Sequence, residues 1–530
     1  MKKYIRKNLI VIIIFVVVLL VENTAAIGVQ FLKGDLLNLA IAGVGKQALY
    51  KGMFLLGAII LEIIFMYFEF ISNNKFSYLC VKDLKEDLYS ATLKRNYTQF
   101  NKNSIGEYVS KFTNEVETIK NDYFTCITML IMFIMKIIFV STALIFLNAK
   151  LAIITFALLT MPLYIPKLAE KRLQRCKNSF LKNMESFLEK LNDYLQGFEL
   201  IKNFSIEEKI REKFVSENSK AMKSSYVSAN TQSLVRTISA CMSYFSYFIV
   251  VAFSAYLVFA GEFNPGEFFI AVNMIDQLSY PIIAISGCIQ GIISVKDLNK
   301  NLVEYCQDKD LEKSEGVCIN NFKESIDFNN ISFSYEEGKP IFEGISMKFE
   351  KGKKYIIKGK SGFGKTTLMN LFLKYYKPDE GKIFIDNMDI QQINNIYDHV
   401  SVVRQDNFIF KDTLRNNLTM YENISDERIF QVLERLNMHE FANKDSLNMI
   451  IGSGGAALSG GEAKRLSIAR ALLREKDILI LDEPLANLDN ETTRVLEDEI
   501  LSLKDCTIIM ITHVLNEAKE NEFDMVYSFS

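Results

Sequence analysis

An α-helical membrane domain fused to an α/β domain is the fold class that three observations predict. About the first 300 of the 530 residues carry several apolar runs near or above the ~20 residues that cross a bilayer. The last 200 or so alternate short apolar strands with charged segments of helical spacing. Within them, residues 359–366 read Gly359-Lys360-Ser361-Gly362-Phe363-Gly364-Lys365-Thr366, a complete phosphate-binding loop. It follows the apolar strand Tyr355-Ile356-Ile357 and opens onto the apolar stretch Leu368 to Leu373.

Six spans can be drawn in the first half, at about 8–32, 49–71, 123–148, 150–168, 238–260 and 266–293. The basic start Met1-Lys2-Lys3-Tyr4-Ile5-Arg6-Lys7 precedes a run too long for a signal core, with no small-residue cleavage site, so it reads as the first span. The connections after spans two and four are long and the others short. The first long one carries Lys75, Lys82, Lys85, Lys94, Arg95, Lys102, Lys111 and Lys120, and the second is similarly basic, against Lys33, Lys46 and Lys150 on the other side. This bias puts the N-terminus, both long connections and the α/β domain in the cytoplasm. Both connections mix acids with bases at helical spacing, which predicts transmembrane helices extending well beyond the bilayer.

Glu22, Glu62, Glu69, Lys136 and Asp276 fall within spans, where an ionisable group is costly and faces a cavity, a partner or the interface. Glu22, Lys136 and Asp276 fit either a polar path, with Lys136 opposed to Glu22 or Glu62, or a structural role, as snorkelling groups near a span end or in an ion pair. For Glu69 the expectation is either a span end, its head group reaching the interface, or a structural ion pair. Pro162, Pro166 and Pro281 are expected at kinks that neighbouring helices tolerate.

A net charge of −2 and the lack of an arginine-rich tract exclude nucleic acid as a leading partner. Eight cysteines lie far apart without a Cys-x-x-Cys pair, which argues against a disulfide framework or zinc site.

In the phosphate-binding loop the glycines let backbone N–H groups converge on phosphate oxygens. Lys365 can reach the β- and γ-phosphates, and the Thr366 hydroxyl can bind Mg²⁺. A second element, Ile478-Leu479-Ile480-Leu481-Asp482-Glu483, is an apolar strand ending in two carboxylates. Asp482 is placed to hold Mg²⁺ through water and Glu483 to polarise an attacking water. Between them stands Leu458-Ser459-Gly460-Gly461-Glu462, a serine and glycine N–H groups at a helix start, which makes a second anion-binding surface.

That pentapeptide, just before the acidic strand, resembles the signature of ATP-binding cassette (ABC) proteins. Four further positions fit: Tyr335 in Ile331-Ser332-Phe333-Ser334-Tyr335, Gln405 in Val402-Val403-Arg404-Gln405-Asp406, the loop Ala486-Asn487-Leu488-Asp489, and His513 in Ile511-Thr512-His513. The resemblance implies that Tyr335 stacks on adenine, Gln405 contacts Mg²⁺ and the attacking water, the 486–489 loop touches an opposite cassette, and His513 contacts the γ-phosphate. The implied catalytic set is Glu483, His513 and Gln405, and the implied metal set is Thr366, Gln405 and Asp482. ATP would contact Tyr335, Gly359, Lys360, Ser361, Gly362, Phe363, Gly364, Lys365, Thr366 and Thr367. Ser459, Gly460 and Gly461 would bind the nucleotide held by the opposite cassette. His399 and His439 fit no such slot and are expected to be surface or structural residues.

The first half adds an independent resemblance. Arg95-Asn96-Tyr97-Thr98-Gln99-Phe100, followed by Ile105 to Val116, is similar to the first cytoplasmic loop of ABC exporters, with a short transverse helix expected near 97–103. Gly197-Phe198-Glu199-Leu200-Ile201-Lys202-Asn203-Phe204 resembles the second loop, whose coupling helix docks on a partner's cassette. The chain is thus identified as similar to exporter-type half-transporters: a transmembrane domain at 1–300, a linker at 301–324 and an ATP-binding cassette at 325–530. The resemblance implies an ATPase using ATP and Mg²⁺, dimeric with itself or a related chain in a bacterial plasma membrane. It would export a lipid, drug or peptide. An importer subunit, or an ATP-dependent sensor that does not transport, are the alternatives.

Two departures stand out. Gly452-Ser453-Gly454-Gly455 replaces a glutamate and arginine usual before the signature, so a charged contact between cassette and membrane loops is expected to be missing. The sequence ends at Ser530, soon after His513, where family cassettes usually continue, so a reduced terminal lobe or a truncated chain is expected.

Overall fold

The computed structural model describes residues 1–307, 316–336, 338–360, 362–452, 458–485, 488, 490–512 and 517–529. They form two compact units, one of Met1–Leu93 with Ser104–Lys309 and the other of Lys94–Asn103 with Asp310–Ser530.

The first unit is helical. Among the described residues, five helical stretches are long and apolar enough to cross a membrane: Leu9–Ile41, Gly45–Leu93, Ile105–Leu147, Glu207–Phe259 and Pro265–Ser294. At 1.5 Å per residue, the 49 residues of Gly45–Leu93 extend about 73 Å, more than twice a hydrocarbon core of about 30 Å. The 53 residues of Glu207–Phe259 are longer still. Both carry apolar windows at one end and charged turns at the other, as the long basic connections predict.

The fourth expected span differs. Its apolar run forms an 11-residue helix, Ala149–Leu159, then a tight 3₁₀ turn at Met161–Leu163, then the polar helix Tyr164–Gln196. Pro162 sits in the first turn of the 3₁₀ segment, where its missing N–H leaves no α-helical ladder to continue. Pro281, in contrast, is accommodated inside Pro265–Ser294 and is buried among neighbouring helices.

Close packing in this unit depends on two glycines. A Cβ on Gly266 would lie 2.3 Å from the Gly34 carbonyl oxygen and 2.4 Å from Asn38 Nδ2, and one on Gly34 would lie 2.5 Å from Ile270. Only bare backbone lets Leu9–Ile41 and Pro265–Ser294 approach this closely. Asn38 then donates to Asn264 Oδ1 at 2.9 Å and accepts from the Gly266 N–H at 2.8 Å.

The ionisable residues of the spans sort themselves by burial. Glu69 is buried, which sets aside the interfacial one of its two expected positions. Its carboxyl meets that of Glu22, with Lys136 within electrostatic reach of both and Glu62 within reach of Glu22. The helix bearing Glu69 runs unbroken to Leu93, which places this residue inside the packed bundle rather than at a helix end. Asp276 lies on an exposed face. All eight cysteines are free.

In the second unit, β1 (Ser325–Glu336), β2 (Lys339–Glu350), β4 (Glu380–Ile385) and β5 (Met388–Asp389) form an antiparallel sheet in the order β2-β1-β4-β5. A second sheet has the order β11-β3-β10-β9-β6, from β3 (Lys354–Gly359), β6 (Val400–Val403), β9 (Ile478–Asp482), β10 (Thr507–Ile511) and β11 (Met525–Phe529), all parallel. The short pair β7 (Asp412–Thr413) and β8 (Ile450–Ile451) lies apart.

Both faces of the parallel sheet are covered, as its uninterrupted apolar strands require. Ile357, Ile480 and Ile509 pack with Phe328, Phe349 and Phe372 on one side. Ile356, Leu479, Leu481, Ile508 and Met510 pack with Leu466 and Ile468 on the other. His399 is part of this framework: it is buried, with Nδ1 2.9 Å from Asp477 and Nε2 3.0 Å from the Ile319 carbonyl.

Candidate functional site

Parallel register brings the expected phosphate and acid residues to one sheet edge. Ile511 pairs with Ile357 and with Asp482, so β3, β10 and β9 end level, and the segments leaving them share the carboxyl edge where α/β sheets bind ligands. From β3 the chain enters the glycine loop. Gly362 and Gly364 adopt φ of +90° and +76°, conformations a side chain would strain. A Cβ on Gly364 would also lie 2.4 Å from Ile341 Cγ2. The loop hands over to the helix Lys365–Phe372, whose first N–H groups face the ligand position.

Lys365 is buried and folds its ammonium back onto the loop, donating to the carbonyls of Gly359 at 2.7 Å and Lys360 at 2.9 Å. Burial lowers its pKa, and the carboxylates of Glu483 and Asp482 partly offset that effect. One residue on, the Thr366 hydroxyl donates to Asp482 Oδ2 at 3.1 Å, across from β9. Burial raises the Asp482 pKa, opposed by this bond and by the nearby Arg404 guanidinium. A hydroxyl and a single carboxylate converging beside a phosphate loop suit Mg²⁺, which takes few protein oxygens and completes its shell with water and phosphate.

Glu483 takes a left-handed φ of +49° immediately after β9, and its N–H donates to the Ile511 carbonyl at 2.9 Å. Such a backbone is uncommon outside glycine, asparagine and aspartate, and turns the residue out of the strand direction at the end of the buried run. Nothing in the sequence signalled it.

Tyr335, at the end of β1, is 51% exposed. Its ring meets Phe333 edge-on at 5.0 Å and Tyr376 at 5.2 Å, and its hydroxyl lies 3.1 Å from Thr367 Oγ1. Two near-perpendicular rings and the hydroxyl contact thus fix the orientation of this half-exposed ring, which suits a platform for a flat ligand.

The signature begins the 14-residue helix Gly460–Leu473. Ser459 accepts from the Glu462 N–H at 3.3 Å while Glu462 accepts from the Ser459 N–H at 2.7 Å, a reciprocal capping box. Ser459 and Gly460 are exposed at the helix start.

Gln405 is exposed just past β6. Its backbone is held by a residue that sequence reading missed. Lys464, buried in the signature helix, donates to the carbonyls of Arg404 at 3.0 Å and Gln405 at 3.3 Å. Arg404 was also missed. Its Nη2 donates to Asn370 Oδ1 at 2.8 Å, its Nη1 stands 4.0 Å from Asp482 Oδ2, and its guanidinium lies 5.3 Å from the centre of the Tyr375 ring. The only signals available were two basic residues flanking recognised motifs.

Ser361, Ala486, Asn487, Asp489, His513 and the stretch Ser453-Gly454-Gly455 lie outside the described residues. The short helix expected near 97–103 is present as Tyr97–Asn101, with Asn96 and Gln99 forming its capping box. Its Tyr97 ring stacks on Tyr375 at 4.0 Å and 12°, and Thr98 donates to the Tyr375 carbonyl. The counterpart in the other unit is the helix Phe198–Asn203, on which Phe198 and Leu200 are exposed.

A multi-helix membrane unit joined to a phosphate-loop unit with a signature helix defines an ATP-driven membrane transporter. Residues 11–282 match the family described as ABC transporter transmembrane region, and residues 342–486 match the family described as ABC transporter. The chain belongs to the ABC transporter family, as an exporter-type half-transporter whose cassette is an ATPase coupled to transport.

Among its relatives is an ATP-dependent lipid A-core flippase of Syntrophus aciditrophicus, 28% identical over 85% of this chain and 76% of that protein. Another is the multidrug resistance-like ATP-binding protein MdlB of Buchnera aphidicola, 27% identical over 86% of this chain and 80% of its own length. A solved bacterial Atm1-family ABC exporter with ATP bound shares the fold, with a TM-score of 0.81 at 19% identity, covering 99% of this chain and 94% of that one.

Proposed function

We propose that two copies of this chain, or this chain and a related one, export a hydrophobic or amphipathic substrate from the cytoplasm by alternating access. The observation carrying this reading is the convergence of Lys365, Thr366, Asp482 and Glu483 at one sheet edge, with the Thr366 hydroxyl 3.1 Å from Asp482. Lys365 exchanges its loop carbonyls for the β- and γ-phosphates, and Tyr335 stacks on adenine. Thr366 and Asp482, with Gln405, would hold Mg²⁺, which neutralises charge on the phosphates. Glu483 accepts the proton of the attacking water, and His513 orients the γ-phosphate. Ser459, Gly460 and Gly461 receive the γ-phosphate of nucleotide bound to the partner chain.

Two nucleotides between two cassettes favour the closed state by differential affinity, and hydrolysis removes that preference. The membrane is proposed to be a bacterial plasma membrane, with the N-terminus and cassette on the cytoplasmic side. The relatives named as a lipid flippase and a multidrug-type protein support lipids and amphiphilic drugs as the first substrates to try.

In reconstituted vesicles, ATP should drive one-way movement of a member of a panel of lipids, peptides and amphiphilic drugs. Glu483→Gln should retain ATP-dependent dimer closure while turnover collapses. Undiminished hydrolysis in that variant would remove Glu483 from the base role. ATP hydrolysis without movement of any panel member would favour a sensor over an exporter.

A further inference from the structure

The loop after β6 brings a third cation to the acid edge. Beside Lys365 and Lys464, Arg404 places Nη1 4.0 Å from Asp482 Oδ2, the carboxylate that also accepts from Thr366. It is held there from two directions. Asn370, on the helix following the phosphate loop, accepts from Nη2 at 2.8 Å. The guanidinium also lies over Tyr375, whose ring stacks on Tyr97 in the segment Lys94–Asn103.

The Tyr375 carbonyl is fixed in turn by Thr98, so ring and backbone of this residue are both engaged by that segment. The line Tyr97, Tyr375, Arg404, Asp482 is therefore continuous, each member touching or facing the next.

We propose that Arg404 is a positioning residue that acts as an internal counter-cation for Asp482, competing with Mg²⁺, and that the Tyr97–Tyr375 stack sets the strength of that competition. This rests on the reading of Thr366 and Asp482 as Mg²⁺ ligands. A guanidinium close to one carboxylate oxygen stabilises the ionised carboxylate when no metal is bound. The same charge repels a divalent cation arriving at that oxygen, so metal binding requires the guanidinium to withdraw. Withdrawal means sliding off Tyr375, which is easier when Tyr97 no longer presses on that ring. A movement of segment 94–103 is thereby converted into a change in Mg²⁺ affinity at the site.

The experiment reads equilibrium binding rather than turnover. Full-length protein carrying Glu483→Gln, in lipid nanodiscs, is dialysed against labelled ATP in Mg²⁺ and in EDTA, and the ratio of the two affinities is recorded. Arg404→Gln should raise that ratio about three- to thirtyfold. Arg404→Lys, which keeps the charge, should stay closer to the parent and guards against a mere packing effect. Tyr97→Ala should raise the ratio in the same direction, and should add nothing once Arg404→Gln is present.

An unchanged ratio in Arg404→Gln, or additive effects of the two substitutions, would overturn the proposal. If Asp482→Asn leaves the parent's own ratio intact, the metal reading fails instead, so the two failures are distinguishable.

Discussion

Replacing Tyr335 with alanine tests whether the exposed aromatic at the end of β1 is the base platform. The ring is half exposed, braced edge-on by Phe333 at 5.0 Å and Tyr376 at 5.2 Å, and tied through its hydroxyl to Thr367 at 3.1 Å. Stacking of a base on an aromatic is worth about 1–3 kcal/mol by alanine substitution, hence about 5- to 150-fold in Kd. Tyr335→Phe keeps the ring and both edge contacts and loses only the Thr367 bond, about 0.5–1.5 kcal/mol, so its binding should weaken about tenfold at most. Neither change touches the loop at 359–366, so inorganic tripolyphosphate should compete with unchanged affinity. Equilibrium dialysis with labelled ADP, which is not hydrolysed, measures all three quantities on the same preparation. ADP binding in Tyr335→Ala within about twofold of the parent would refute the platform, and an equal loss for tripolyphosphate would show that the substitution had disturbed the phosphate loop instead.

Three further outcomes follow from the packing and electrostatics. Gly364→Ala should cost about 1–2 kcal/mol for its left-handed backbone and about 1–3 for the 2.4 Å approach to Ile341, so calorimetry should show the cassette transition several degrees lower; an unchanged midpoint would contradict the packing. Gly266→Val should break the close crossing with Gly34 and Asn38, read as loss of monodisperse protein in detergent, while the same change at Gly287, which has open space, should be tolerated. Burial lowers the Lys464 pKa, outweighing the pull of Asp482, Glu483 and Asp406. Between that lowered value and about 10.4 the unfolded chain holds more protons, so the parent gains stability with rising pH. Lys464→Gln keeps a donor for the two carbonyls and lacks this gain. The parent's thermal midpoint relative to the variant should therefore climb as pH rises toward about 10.4, and a constant gap on that alkaline side would exclude a buried ammonium as the cause.

What could be read from the sequence was what local chemistry dictates. Three glycines at fixed spacing between an apolar strand and a helix demand a phosphate loop, and an apolar strand ending in Asp482 and Glu483 demands a buried sheet with acids at its edge. The transverse helix at Tyr97–Asn101 was placed to within two residues by the resemblance to exporter loops, and the structure adds its local cause, the capping box of Asn96 and Gln99. Features that depend on distant partners were not. Arg404 and Lys464 look like ordinary surface charges until β6 and the signature helix are folded together, when one faces Asp482 and the other closes on two loop carbonyls. The choice between an interfacial and a paired Glu69 was open for a related reason: hydropathy marks where an apolar run fades, but a helix continuing to Leu93 keeps its inner face packed beyond that point. The break in the fourth span was legible as a proline kink, but its form, a 3₁₀ turn at Met161–Leu163 between Ala149–Leu159 and Tyr164–Gln196, was not.

The hydrogen bonds of the two anion-binding surfaces explain why a single cassette is an incomplete reader of ATP under the proposed mechanism. At the signature, the capping box consumes the N–H groups of Ser459 and Glu462, leaving those of Gly460 and Gly461 among the four that an α-helix leaves without intrahelical acceptors. They lie at an exposed turn, where water satisfies them at little cost and where an arriving phosphate gains from the helix dipole. At the phosphate loop the situation is reversed. Lys365 is already satisfied by two carbonyls of its own loop, so nucleotide must displace internal bonds and the net gain is smaller than a count of contacts suggests. A γ-phosphate carried by one cassette therefore has most to gain from donors on another that are exposed, pre-aligned and not engaged internally. In the proposed dimer, that difference would favour closure with ATP over ADP, because only ATP presents the terminal phosphate.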